Sequence, residues 1–271
     1  MSHFAFLLSS IFTFILVSPV IAQSELEVDL ELVLAVDVSR SMTPRELEIQ
    51  RRGYADAIVT DGVISAIQGG LIGQIALTYV EWAGEGRQRI VVDWTLIRGK
   101  ADAAEFSKRL TAHINSNMRR TSISGGLDFA ARHFDENMYI GLRRIIDVSG
   151  DGPNNEGFPV TVVRDGVVSQ GIIINGLPLM TNEGLSNRWH LEDLDAYYQN
   201  CVIGGPGSFV LPVQDWIDFP RAVRRKLILE IADVRGLNFG PLNPILVASF
   251  SYDCLIGEKI RRRYFDDDYF P

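Results

Sequence analysis

Apolar runs of strand length alternate along this chain with stretches whose apolar residues recur at helical spacing. Residues 31–38 form a nearly unbroken apolar run, the pattern of a strand buried on both faces. Thr43 followed by Pro44 reads as an N-cap and a first helical position, opening a helix predicted to run over 44–67. Residues 75–82 and 88–97 read as two strands joined by the short turn Gly84-Glu85-Gly86-Arg87, a hairpin. Helices are predicted at 101–117, 124–136 and 160–170, and strands at 145–148 and 171–177. Further on, 191–201 reads as helical, 208–213 as strand-like, and 219–234 as a helix with basic residues along one face. Such a series predicts an α/β fold: a doubly wound, mostly parallel sheet with one antiparallel hairpin strand and helices on both faces. After Asp233 the pattern weakens, through Gly236, Gly240, Pro241 and Pro244, to a charged and aromatic end at 261–271.

The candidate chemistry sits where apolar runs end. Asp37, Ser39 and Ser41 alternate just past the first long strand, in Asp-Val-Ser-Arg-Ser-Met. One carboxylate and two hydroxyls suit a hard divalent cation, Mg²⁺ above all, which takes oxygen ligands and keeps some of its waters. Thr121, in Arg-Thr-Ser-Ile-Ser-Gly, stands just before a predicted helix, where Gly125 and Gly126 allow a close approach to the sheet. Asp151, in Ser-Gly-Asp-Gly-Pro-Asn-Asn, follows a third apolar strand. Asp147 competes for that role but lies inside the strand rather than beyond its end.

These three segments, in this order, resemble the metal-ion-dependent adhesion site of von Willebrand factor type A domains, over roughly residues 28–235. The resemblance implies that fold, with its metal at the carboxyl ends of the strands. It also implies a cation (Mg²⁺, or Mn²⁺ or Ca²⁺) held by Asp37, Ser39, Ser41, Thr121 and, through water, Asp151. A cation with few directly bound carboxylates stays electrophilic, so the expected partner is a protein that supplies an exposed acidic side chain. The sequence departs from the family at Gly150, where a serine or threonine usually precedes the aspartate; Ser149, one residue back, is the nearest replacement. The overall likeness is to secreted bacterial von Willebrand A-like proteins of undefined role. A second reading keeps the metal site as a staple of loops, or as a decayed site, in a subunit of a larger assembly.

Composition narrows the rest. Apolar content of 46% and charged content of 22% are those of a globular chain. Residues 1–22 carry no Asp, Glu, Lys or Arg, and an apolar run broken by Pro19 ends on Val20-Ile21-Ala22. That reads as a secretory signal peptide cut after Ala22, a retained anchor being the alternative. A mature domain over 28–235 and a C-terminal extension over 236–271 follow, in a secreted or periplasmic protein. The formal charge of −8, from 34 acidic and 26 basic residues, gives no support for nucleic acid or a membrane surface as partner. In an exported chain the two cysteines, Cys201 and Cys254, read as one disulfide, with two buried thiols as the other possibility.

Enzyme chemistries find little footing. No Gly-x-Ser-x-Gly elbow surrounds Ser122 or Ser124, and neither His113 nor His133 stands in a catalytic motif. No His-Glu-x-x-His pair exists for a zinc hydrolase. An aspartyl-phosphate mechanism would want a second carboxylate two residues after Asp37, where Ser39 stands. The expectation is a binding module rather than a catalyst.

Overall fold

The computed structural model describes residues 25–112, 118–181, 191–232 and 252–267, with side chains as far as 264. Seven strands occur among them, β1 (Leu26–Val28), β2 (Leu30–Asp37), β3 (Ile75–Trp82), β4 (Gln88–Ile97), β5 (Tyr139–Gly141), β6 (Arg144–Gly150) and β7 (Ile172–Pro178). Five of them form the main sheet in the order β4-β3-β2-β6-β7, and β1 with β5 form a small parallel ribbon. All main-sheet pairings are parallel except β3 with β4, the predicted hairpin. The central strand β2 is therefore flanked by β3 and β6, and its carboxyl end opens between the loops that follow them.

The helices are α1 (Pro44–Ile58), α2 (Asp61–Gln68), α3 (Lys100–Thr111), α4 (Ile123–His133), α5 (Val160–Ser169), α6 (Leu194–Tyr197), α7 (Phe219–Ile231) and α8 (Ile256–Asp267). Alternation along β2 explains why its apolar run is unbroken. Leu30, Leu32, Leu34 and Val36 join a core with residues of α1, α2, α3 and α7, whereas Val33 and Ala35 join a second core with α4, α5 and α6. Both faces are thus covered, and each face needs its own alternate set of apolar side chains. This is the doubly wound α/β arrangement the sequence predicts.

Local chemistry fixes the entry to α1. Thr43 caps the helix: its side chain accepts from the Glu46 N–H at 3.3 Å while Glu46 accepts from the Thr43 N–H at 2.5 Å. Such a reciprocal cap contributes about 1 kcal/mol. The predicted helix over 44–67 is in fact two. Thr60 takes an extended conformation and its hydroxyl bonds back to the Ala57 carbonyl, so α1 ends at Ile58 and α2 starts at Asp61. Apolar spacing continues across the break because Ile58, Val63, Ile64 and Ile67 all face the same core.

Other elements also differ from expectation. The predicted helix over 191–201 is one α-turn, α6, continued by a π-helical turn at Tyr198–Val202. The segment 208–213 makes isolated bridges, to Gly176 of β7 and to Leu179 just beyond it, rather than a strand. The strands β1 and β5 and the helix α8 have no counterpart in the sequence reading. The signal segment 1–22, His113 and most of the extension before α8 lie outside the described residues. Among those described, no helix is long and apolar enough to cross a membrane.

Candidate functional site

The topology brings the three predicted segments to one point. Asp37 is the last residue of β2, Asp151 follows the end of the neighbouring β6, and Thr121 precedes α4. Ser39, Ser41, Thr121 and Asp151 line a single cavity of about 180 Å³, with Asp37 fully buried behind them. Each side chain is held by its own short-range contacts. One Asp37 oxygen, Oδ1, accepts the Ser39 N–H at 2.7 Å, which turns the chain sharply at the strand end. Gln50 from α1 donates to the Asp37 carbonyl at 3.2 Å. The Ser39 and Ser41 hydroxyls lie 2.9 Å apart, and the Ser41 hydroxyl donates to Asp151 Oδ1 at 2.9 Å.

The second Asp37 oxygen is different. Oδ2 is buried and has no hydrogen-bond partner among the described residues. A lone buried carboxylate oxygen is costly unless a cation or donor meets it. Burial, and then the nearby charge of Asp151, push the Asp37 carboxyl well above its ordinary range. Burial likewise raises Asp151 to about 6, against the bond from Ser41 that lowers it. Two carboxylates and three hydroxyls, with one oxygen unsatisfied, fit a hard cation such as Mg²⁺, Mn²⁺ or Ca²⁺. Among the described residues no group of three or more His, Cys, Asp or Glu side chains could hold a metal ion, so a cation at these loops would depend on the hydroxyls as well as the two carboxylates.

The third loop is organised by residues whose role the sequence did not reveal. Asn155 Oδ1 accepts the Thr121 N–H at 3.2 Å, and the Asn155 N–H donates to the Thr121 carbonyl at 3.0 Å. Asn154 Oδ1 accepts the Ser124 N–H at 3.0 Å. These two asparagines tie the loop after β6 to the entry of α4, where the Ser122 hydroxyl caps the helix by accepting from Gly125 at 3.1 Å. A Cβ at Gly126 would stand 2.9 Å from the Trp82 ring, so the close approach to the sheet does require glycine there.

Gly150 has an equally physical cause. A Cβ at that position would lie 2.9 Å from the Tyr198 hydroxyl and 3.1 Å from Asp37 Oδ2. Tyr198 sits in the π-helical turn, directly after Tyr197, and both rings are fully buried. The wider turn lets two consecutive tyrosines face the site, a common use of such turns. The Tyr197 hydroxyl accepts the Asn154 N–H at 3.1 Å, while the Tyr198 hydroxyl has no partner among the described residues. Tyr198 thus brings a hydroxyl to the place where the family has its serine or threonine. Ser149 does not fill that place: alternation along β6 turns it to the other face, beside Tyr54. Asp147 is no ligand either, because it pairs with the buried Lys226 at 2.7 Å on that same opposite face.

The C-terminal helix belongs to the site wall. Glu258 of α8 accepts from the Asn154 side-chain amide at 2.8 Å, and Arg261 donates to the Asn155 carbonyl at 2.9 Å. The predicted disulfide is present between Cys201, in the π-helical turn, and Cys254, just before α8, with Cα atoms 5.5 Å apart. His133, by contrast, is buried against Trp94 and Glu136, away from these loops.

Comparison with known proteins bears on the fold. A family model described as a protein of unknown function (DUF1194) matches residues 27–235, so the chain belongs to that family. No curated protein sequence matches it. The pilus adhesin SpaC of Lactobacillus rhamnosus GG, in its open conformation, superposes with a TM-score of 0.53 at 13% identity, over 78% of this chain and 31% of that one. A von Willebrand factor type A protein of Catenulispora acidiphila superposes with a TM-score of 0.50 at 15% identity, over 76% and 43%. Proximal thread matrix protein 1 of the mussel byssus, described with a zinc-occupied MIDAS motif, is similar at a TM-score of 0.48 and 14% identity, over 77% and 48%. The chain spans less than half the length of these three structures. At such identities the likeness is one of fold, and the domain is von Willebrand A-like.

Proposed function

We propose that this DUF1194 member is an exported binding module that captures a protein partner by an acidic side chain, through a divalent cation held at the three-loop site. The observation that carries this reading is Asp37 Oδ2, a fully buried carboxylate oxygen without a partner among the described residues, behind a cavity lined by Ser39, Ser41, Thr121 and Asp151. Asp37, Ser39, Ser41 and Thr121 would hold Mg²⁺ or Mn²⁺, with Asp151 acting through water. Bound there, the cation would supply an electrophilic position that a partner carboxylate can occupy.

The chain's own residues do the positioning. Asp37 is oriented by the Ser39 N–H, and Ser41 holds Asp151 in place. Asn155 fixes the Thr121 backbone. The site also holds its shape through protein contacts, because the chain of bonds from Ser39 through Ser41 to Asp151 closes by itself. That favours a ligand site over a metal staple.

Titration calorimetry of the full mature chain with Mg²⁺ is expected to show one site, abolished by Asp37→Ala. Capture of exported proteins on the immobilised chain should need Mg²⁺ and fall in Thr121→Ala, whose loss of stability stays below about 1 kcal/mol. Unchanged metal binding in Asp37→Ala would sink the reading. Unfolding by chelator would instead show a structural site.

A further inference from the structure

The cavity carries a charge opposite to that of the chain. Against a formal charge of −8 for the whole protein, its lining includes Arg40, Arg119, Arg120 and Arg261. They come from three separate parts of the fold: the loop after β2, the loop before α4, and α8. The rim is built rather than accidental. Arg120 is the one non-glycine residue with positive φ among those described, at 71°, a conformation that costs about 1 kcal/mol and persists only when the surroundings impose it.

The surroundings can be named. The Arg119 carbonyl accepts the Gly84 N–H of the β3–β4 turn at 3.1 Å. A Cβ at Gly84 would stand 2.7 Å from that carbonyl, so the turn presses directly on the arginine loop. Glu156 takes up Arg120 in a short ion pair and lies 4.0 Å from Arg261. Arg40 and Arg119 remain exposed at the mouth and pair with no carboxylate among the described residues.

We propose that this rim reads a second anionic group, so that the partner segment presents at least two adjacent acidic side chains, one for the cation and one for Arg40 and Arg119. This rests on the cation-capture reading above and names the class of its partner: an acidic peptide segment. A single carboxylate would satisfy the cation and leave both guanidinium groups facing water. An adjacent carboxylate gains a charge-assisted contact at a site already partly enclosed, which is worth more there than on an open surface. The cavity of about 180 Å³ admits side chains of an extended peptide rather than a folded domain or a duplex.

The test uses the full mature chain and two synthetic peptides blocked by N-terminal acetylation and C-terminal amidation, Ala-Asp-Ala-Ala and Asp-Asp-Asp-Asp, each titrated with Mg²⁺ and again with EDTA. With Mg²⁺, the tetra-aspartate is expected to bind about tenfold tighter than the single-aspartate peptide, an advantage that shrinks as salt is raised. Arg40→Ala/Arg119→Ala should remove that advantage, while Mg²⁺ still binds at one site and the single-aspartate peptide is still captured only with Mg²⁺. Equal affinities for the two peptides overturn the proposal and leave cation capture standing. An advantage that persists in the double variant overturns it as well. Binding of tetra-aspartate that is as tight in EDTA, and lost in the double variant, upholds the rim and overturns cation capture instead.

Discussion

Two clusters of buried carboxylates lie on opposite faces of the same sheet, and they are settled in opposite ways. On the face of α7, Asp147 and Glu230 flank Lys226, with the ammonium 2.7 Å from one and 2.5 Å from the other. Asn175 donates to Glu230 at 3.0 Å, and the Lys226 ammonium also stands over the Phe209 ring. At the carboxyl end of β2, Asp37 and Asp151 are met among the described residues by hydroxyls and backbone N–H groups rather than by a cation. Each cluster keeps carboxylate oxygens without a hydrogen-bond partner among the described residues, Asp147 Oδ2 and Glu230 Oε2 in the first and Asp37 Oδ2 in the second, but only the first has a described side-chain cation in contact with it. Burial of charge alone therefore does not mark a binding site. What separates a structural cluster from a functional one is whether the fold itself supplies the opposite charge.

Removing the internal cation should break the comparison most sharply. In Lys226→Met two carboxylates lose their counter-charge in the core, and the expected loss is about 3–5 kcal/mol in urea denaturation. A loss under about 1 kcal/mol would show that the cluster is neutral without the lysine. Mg²⁺ binding on the opposite face of the sheet should survive wherever this variant is folded.

Acidity gives the next largest effect. Burial and the charge of Asp147, against the pull of Lys226, raise Glu230 to about 7. The folded state thus holds a proton that the unfolded chain releases near 4.5. Between those values the folded state binds more protons, so stability falls as pH rises, by up to about 1.4 kcal/mol per unit for one group. The Glu230 contribution is fully present below about 4.5 and lost as pH rises through about 7. Glu230→Gln, measured in EDTA, should flatten the stability profile between these limits. An unchanged slope would assign the proton elsewhere, Asp37 and Asp151 being raised too.

The smallest effect is expected at Asp37. In EDTA, Asp37→Asn removes a charge that nothing in the fold compensates while keeping an acceptor for the Ser39 N–H. Stability should then stay within about 1 kcal/mol of the parent, or rise. A large loss would mean that Asp37 is as structural as Lys226.

Much of this contrast is legible in the sequence, and the missing part has a common cause. The strands β2, β3, β4, β6 and β7 declare themselves because each is an apolar run between turn signals; Asp37, Ser39, Ser41 and Asp151 stand at the ends of two of them, and Thr121 at the entry of a predicted helix. Asp147, within β6, is likewise recognisable as lying inside a strand. What that carboxylate meets is not, since Lys226 is a distant residue on a helix whose basic positions look solvent-facing; in the structure it is fully buried. Tyr198 escapes for the same reason: only the fold brings its hydroxyl to Gly150. Helix α8 is not legible because its sequence is mostly charged, and Glu258, Arg261 and a disulfide join the few apolar contacts around Ile256 in holding it. The break at Thr60 is hidden because a hydrogen bond from its side-chain hydroxyl to the Ala57 carbonyl, not hydropathy, marks the end of α1.

The bond between Cys201 and Cys254 also decides how tension would travel. The two residues are 53 positions apart, and the bond closes the chain between them into a covalent loop. A pull applied at the carboxyl terminus passes along α8 to Cys254 and crosses directly to Cys201, so α7 and everything else inside the loop is spared. The load arrives in the turn that carries Tyr198, three residues before Cys201 and beside Asp37. A partner gripped at the cavity and an anchor at the carboxyl end would therefore be joined by a short mechanical path that leaves most of the domain unloaded.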